Sequence, residues 1–344
     1  MKTILYLSNI EVPYRVRFFN ELAENCHLTV LYESKGAQKR DARWAKSGER
    51  HYRTLWLPQD FLTTCRETWD AVIIGCYHTP VQILLRQIFR LRRIPCILNL
   101  DGESFLEDKG WKGCCKKALL SGAAAYLTAG ERSAASLQKV AGRAPVVPYY
   151  FSSLSEEELT AHGKIQADNT GSVLVVGQYF FYKGMDVALE AARLDPRRQY
   201  LFVGMGVCTA QFLREHEIPE NVKIIGFLQK EELEKLYQSS ALLVLPSRRE
   251  CWGLVIPEAA SFGLPVVSTW GSGAAVEFLA DRYPQYLARP GDAESLAACI
   301  RCFFTSRDQR GYGAFLREKT AGYSIERSVQ AHITLLEDRE SWCL

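Results

Sequence analysis

The 344-residue sequence contains no apolar run suited to crossing a membrane: its longest charge-free stretch, residues 259–276, holds Pro265 and three glycines. It also has no low-complexity tract, and 47% hydrophobic with 24% charged residues is the composition of a packed globular protein. The opening MKTILYLSNIEVPYR has too short an apolar stretch and no small-residue cleavage site for a signal peptide, so it reads as a first strand. No glycine occurs in ILYLSNIEVPYRVR, where a nicotinamide-dependent oxidoreductase would carry its Gly-x-Gly-x-x-Gly loop. An Asp-x-Asp cluster suited to a divalent metal is also missing beside every strand-like run. The eleven cysteines have no regular spacing, and Cys299-x-x-Cys302 sits in a helical pattern without a second pair, so reduced thiols are expected rather than a zinc site.

What is present is unevenly charged. Residues 1–150 hold 22 Lys and Arg against 14 Asp and Glu, a balance of +8, and the remainder carries −5. Two readings of the basic half are open: contact with an anionic partner such as a lipid phosphate or membrane surface, or a solvated basic face. The segments PVQILLRQIFRLRR and KGWKGCCKKALL interleave apolar residues with Arg86, Arg90, Arg92, Arg93, Lys112, Lys116 and Lys117, as interfacial helices do. A helix that packs its apolar face on a sheet would show the same pattern.

Short apolar runs alternate with helical patterns along the chain. KTILYLS, HLTVLYE, DAVIIGC and PCILNLD read as strands, with helices over RVRFFNELAEN and PVQILLRQIFRLRR between them. Polar residues 152–171 break the rhythm as a short helix plus linker. It restarts with SVLVVGQ, QYLFVGMG, NVKIIGF and ALLVLPS, separated by helices over 186–194, 211–216 and KEELEKLYQSS. Parallel strands need helical crossovers, so the prediction is α/β: two Rossmann-like, doubly wound domains facing a cleft. The first spans residues 1–151 and the second 172–325. Residues 326–344, with Val329, Ile333 and Leu336 at helical spacing, are expected to pack back on the first domain.

The segment LLVLPSRRECWGLVIPEAASFGLPVVSTWGSG is the most informative. Its Ser-x-x-Glu-x-x-Gly-Leu-x-x-x-Glu-Ala pattern, with Glu250 and Glu258 bracketing seven residues, resembles the signature of family 4 retaining glycosyltransferases (glycosyl transferases group 1). VVGQYFFYKGMDVALEAARL, YLFVGMG and VKIIGFLQKEELEKLYQSS resemble the preceding units of that family, so the likeness is strong over 172–280. The N-terminal half fits more loosely, through NIEVPYRVRFFNEL, WDAVIIG and PCILNLDGE, and is similar to a subgroup working on bacterial surface polysaccharides. The resemblance implies a GT-B fold and transfer of a hexosyl group from a nucleotide-sugar donor to a glycan or lipid-linked acceptor.

It implies roles for particular residues. Lys183, expected at the start of the helix beginning KGMD, would contact the donor phosphates, an ammonium being suited to a point charge, with Gly184 beside it and the helix N-terminus adding N–H donors. The family commonly has arginine where this chain has Gln178, which can donate a hydrogen bond but supplies no charge, so Arg248 or Arg249 is a candidate to compensate. Glu250 would contact donor-sugar hydroxyls, and Glu258 the ribose hydroxyls, although Pro257-Glu258 is also an ordinary helix start. Backbone N–H groups of Gly253 and Leu254 would bind the distal phosphate, and main-chain groups near Gly204, Gly206, Gly226 and Phe227 the base. Asp101 stands near the place of the family's N-domain histidine, either as a sugar or acceptor contact or as a turn cap. His78 and Arg15 are further candidate acceptor contacts, Arg15 toward an acceptor phosphate.

With Lys183, Glu250 and Asp101 as catalytic residues, no metal and no cofactor is expected, since the nucleotide sugar is itself a co-substrate. The expected setting is the cytoplasm, with peripheral contact at the inner face of the membrane and no nucleic-acid partner. Two alternatives share the donor site: a nucleotide-sugar epimerase of the same architecture, and a descendant that binds donor without turnover.

Overall fold

The computed structural model describes residues 1–34, 48–101, 110–165 and 171–342. These fall into two compact units. The first runs to Ser153 and regains the chain at Ile325; the second is Leu154–Ser324.

The first unit is built on a sheet whose strands are β1 (Thr3–Ile10), β2 (His27–Ser34), β3 (Arg53–Trp56), β4 (Ala71–Ile74), β5 (Cys96–Leu100), β6 (Ala125–Ala129) and β7 (Val146–Tyr149). Their order is β3-β2-β1-β4-β5-β6-β7, and every pairing is parallel. Every residue of β4, β5 and β6 is buried, the pattern of strands covered on both faces. Leu5 and Leu7 of β1, Val72 and Ile74 of β4 and Leu98 of β5 share a core with Leu85 and Phe89 of the helix Pro80–Leu91.

The second unit repeats the plan with β8 (Val173–Val176), β9 (Tyr200–Val203), β10 (Val222–Ile225), β11 (Leu242–Val244), β12 (Val266–Thr269) and β13 (Leu287–Ala288). Their order is β10-β9-β8-β11-β12-β13, again parallel throughout. Both sheets are therefore doubly wound as expected, with the chain reversing its direction of travel between β1 and β4 and between β8 and β11. Such switch points leave a crevice beyond the carboxyl ends of the two strands, where open α/β sheets take ligands.

Several local expectations need correction. Lys183 does not begin a helix: it ends a 3-10 turn, Phe181–Lys183, and Gly184 takes a left-handed φ of 68° before the helix Met185–Arg193 starts. The helix expected over 211–216 is Thr209–Glu215. On the helix Ile325–Glu337 the buried stripe is Ser328, Val329, His332, Leu335 and Leu336, while Ile333 is only half-buried. A histidine thus lies where the apolar spacing suggested an aliphatic seam.

The basic stripe on Pro80–Leu91 is largely structural. Arg86 is buried and donates to the Leu119 and Ser121 carbonyls. Arg92 donates to the carbonyls of Cys65, Arg66 and Glu67, and the Arg90 guanidinium lies 3.1 Å from where a Cβ on Gly122 would stand. Exposed apolar side chains do remain on this unit, among them Leu84, Leu91 and Trp111. No helix among the described residues is long and apolar enough to cross a membrane.

Candidate functional site

At the switch point of the second unit, two loops leave neighbouring strands side by side. One follows β8 and carries Gln178 and Lys183; the other follows β11 and carries Arg248, Arg249 and Glu250. Lys183 donates from Nζ to Oε2 of Glu250, and the two side chains are 22% and 15% exposed. A cation and a carboxylate 67 residues apart in sequence are thus joined in a half-buried, water-reachable position.

Close backbone packing holds the loops in register. The Arg249 N–H donates to the Tyr182 carbonyl at 3.1 Å. Gly184 sits against the other loop so tightly that a Cβ there would lie 2.1 Å from the Pro246 carbonyl oxygen, which with its left-handed φ excludes every other residue. Glu250 itself is anchored by its N–H to the Gly271 carbonyl (2.8 Å) and by its own carbonyl, which accepts from Gly273 (3.1 Å). Ser247 Oγ donates weakly to Glu250 Oε2 at 3.5 Å.

Beyond Glu250 the chain turns at Gly253 with φ 102°, and a Cβ there would meet the side chains of Leu245, Ser272 and Glu250 at 2.9–3.3 Å. Leu254 then caps the helix Val255–Ser261, whose first turn holds Glu258. Buried Tyr237 donates from its hydroxyl to Glu258 Oε2 at 3.1 Å and so fixes the carboxylate. Burial and the neighbouring Glu258 raise the Tyr237 phenol well above its ordinary value, keeping it a donor.

Arg248 is engaged within the site. Its Nη1 and Nη2 form a fork onto Asp186 Oδ1 and Oδ2, both at 2.7 Å, and Nη1 also donates to the Phe181 carbonyl at 2.8 Å. The guanidinium carbon lies 4.2 Å from the centre of the Phe181 ring. Burial pushes the Asp186 carboxyl up, but the bonds from Arg248, its charge and the nearby backbone N–H donors outweigh that and hold it below its usual range. Gln178 is half-buried, and its amide makes no hydrogen bond to a described residue. Gly204 has φ 94° and its N–H donates to the Gly226 carbonyl (3.3 Å), so these two lie side by side at the ends of β9 and β10, with Phe227 next in the chain.

In the first unit, Asp101 follows β5 and is joined to Arg15, which lies on the helix Pro13–Ala23, at 2.5 Å. Tyr149 donates its hydroxyl to Asp101 Oδ1 at 2.9 Å. Arg15, expected toward an acceptor phosphate, is buried and bonded to Asp101 and Tyr6. His78 is exposed in the turn after β4 with its ring against Tyr77, and is not drawn into this group. Fully buried His332 packs its ring on Tyr149, 5.1 Å between centres, and its Nδ1 pairs with the Ser328 carbonyl. Burial lowers its pKa to about 4, so it is neutral.

Sequence reasoning missed Asp186, Tyr237, Tyr149 and His332. Asp186 had a signal, standing three residues after Lys183 in KGMD; the tyrosines had none, since a buried hydroxyl and a buried ring look alike in a pattern. Among the described residues no group of three His, Cys, Asp or Glu side chains could hold a metal ion, and the described cysteines are free thiols.

Residues 159–312 match the family model for glycosyl transferases group 1, a stretch that contains Lys183, Glu250 and Glu258. The matched stretch lies within the second unit, which is therefore similar to the group 1 glycosyl transferases. Among curated relatives, the amylovoran biosynthesis glycosyltransferase AmsK of Erwinia amylovora is 30% identical over 141 residues, 37% of this chain and 34% of that protein. The O-antigen chain mannosyltransferase C of Escherichia coli is 26% identical over 221 residues, 60% of this chain and 59% of that one. The chain thus spans between a third and three-fifths of these relatives' length. HepE of Anabaena, solved in complex with UDP-glucose, superposes with a TM-score of 0.68 over 97% of this chain and 99% of that one, at 16% identity. The two-domain architecture is that of the GT-B glycosyltransferases.

Proposed function

We propose that the protein is a retaining glycosyltransferase that moves a hexosyl group from a nucleotide-sugar donor to a glycan or lipid-linked acceptor in cell-surface polysaccharide assembly. The observation that carries this reading is the Lys183–Glu250 pair at the β8/β11 switch point, with Glu258 in the first turn of the helix Val255–Ser261 that follows. The relatives named for amylovoran and O-antigen synthesis support the pathway class, and the UDP-glucose complex of HepE supports the donor class.

In this account the Lys183 ammonium exchanges Glu250 for the donor diphosphate. Glu250, released, accepts hydrogen bonds from sugar hydroxyls. Glu258, held by Tyr237, accepts from the two ribose hydroxyls, and the N–H groups of Gly253 and Leu254 meet the distal phosphate. The base lies against the backbone around Gly204, Gly226 and Phe227. As the bond from sugar C1 to the phosphate oxygen breaks, negative charge grows on that oxygen, and a cation already in place stabilises it without reorganisation. The acceptor hydroxyl attacks C1 from the leaving-group side, the departing phosphate oxygen takes its proton, and the configuration at C1 is kept. Asp101, set by Arg15 and Tyr149, is the group proposed to orient the acceptor. Charge neutralisation by Lys183 makes the reaction metal-independent in this reading. Peripheral contact with an anionic membrane would involve exposed Leu84, Leu91 and Trp111 rather than the paired arginines.

The test is nucleotide release from a panel of UDP-, GDP- and ADP-sugars with chelator present, with lipid-phosphate and oligosaccharide acceptors added. Release that survives chelator and collapses in Glu258→Ala supports the proposal. Donor binding without release under any acceptor would instead establish the non-catalytic reading.

A further inference from the structure

Arg248 stands two residues before Glu250 and is a natural substitute for the charge that Gln178 does not supply. Its geometry argues for a different part. A guanidinium offers five N–H donors in a planar fork, and here that fork is filled from one side by both oxygens of Asp186 and by the Phe181 carbonyl, with its face laid on the Phe181 ring. Each of these partners belongs to residues 181–186, the segment that carries Lys183.

We infer that Arg248 is a positioning residue, which clamps the Phe181–Lys183 turn to the loop after β11 and so holds the Lys183 ammonium where the donor diphosphate arrives. This rests on the donor-site reading above. The clamp answers a mechanical need. Lys183 has a flexible four-carbon stem, and its turn is a single 3-10 step closed by the Lys183 N–H to the Phe180 carbonyl (2.9 Å) and the longer Gly184 N–H to the Phe181 carbonyl (3.3 Å). Gln178 supplies no charge, so phosphate stabilisation leans more heavily on the Lys183 ammonium, and its placement bears directly on the rate. Gly184 seats the turn against Pro246 from below; Arg248 holds it from the side.

The clamp and a direct phosphate contact differ in sign. Were Arg248 a phosphate ligand, Arg248→Lys would keep the charge and much of the affinity, and Asp186→Asn would free the guanidinium and tighten donor binding. As a clamp, both substitutions weaken binding, since lysine cannot make the fork and asparagine offers one oxygen. The experiment uses the full chain with UDP-glucose, GDP-glucose and ADP-glucose as probes, and amide hydrogen exchange of the unliganded protein. Expected are about tenfold faster exchange at Lys183, Gly184 and Arg249 in both variants, and about tenfold weaker binding of the probe that wild type prefers. In a Lys183→Ala background, Arg248→Lys should change affinity less than twofold. Unchanged exchange, tighter binding by Asp186→Asn, or full additivity with Lys183→Ala would each overturn the inference. If wild type bound none of the probes, the donor-site reading would fail while the exchange measurement still decided the clamp.

Discussion

Lys183 donates from Nζ to Oε2 of Glu250 across the carboxyl ends of adjacent strands β8 and β11. In the free protein each group satisfies the other's charge, so under the proposed function donor binding is an exchange of partners rather than the filling of an unpaired site. That exchange has consequences that differ for the two residues.

Glu250→Ala should cut transfer by about a hundredfold or more, through lost sugar contacts worth roughly 1.5–3 kcal/mol each where a charged group takes part. Binding of the bare nucleoside diphosphate should hold or tighten, since the carboxylate no longer competes for Lys183. Parallel titrations with the nucleotide and the nucleotide sugar separate the two effects. A large loss of nucleotide affinity would place Glu250 elsewhere.

Gly184→Ala forces a Cβ to within 2.1 Å of the Pro246 carbonyl oxygen at a left-handed φ, so the two loops must part. The expected loss is roughly 2–3 kcal/mol, or about 5–10 °C in the unfolding temperature of a unit this size, with donor binding weakened as well. Thermal unfolding checks the first and titration the second.

His332 sets a pH dependence in the first unit. Burial, with the Arg15 charge adding to it, lowers its pKa from 6.5 to about 4, against a raising bond from the Ser328 carbonyl. Between those values the unfolded chain takes up a proton that the folded one refuses. Stability from this group is therefore fully present above about pH 6.5 and is lost as pH falls toward 4, by up to about 3 kcal/mol. Denaturant unfolding at pH 7.5 and 5 should show the loss, and His332→Asn should flatten it.

Much of the fold was legible because buried parallel strands read as apolar runs separated by helical patterns, as KTILYLS and DAVIIGC do. Side-chain partners were not. Arg248 and Asp186 are 62 residues apart, and nothing local in either segment announces their pairing. Lys183 and Glu250 were expected in one site only because both fall on motifs that resemble one family. Arg86 looked interfacial, yet Gln82, Leu85, Arg86 and Phe89 recur at the spacing of one buried helix face, so its burial could have been read from position had charge not argued against it. His332 was hidden for the same reason.

Arg86→Ala tests that reading. It leaves the Leu119 and Ser121 carbonyls without their buried donor and should destabilise the first unit by about 2–3 kcal/mol, seen in chemical denaturation. Sedimentation with anionic phospholipid vesicles should be unaltered, because the guanidinium points inward.

The most direct measurement is titration calorimetry of wild type and Lys183→Ala with the preferred nucleotide sugar in chelator. The account expects wild type to bind without metal and the variant to lose about ten- to a hundredfold in affinity. Equal affinities would contradict it, since the donor diphosphate would then be held by something other than the ammonium at the β8/β11 switch point.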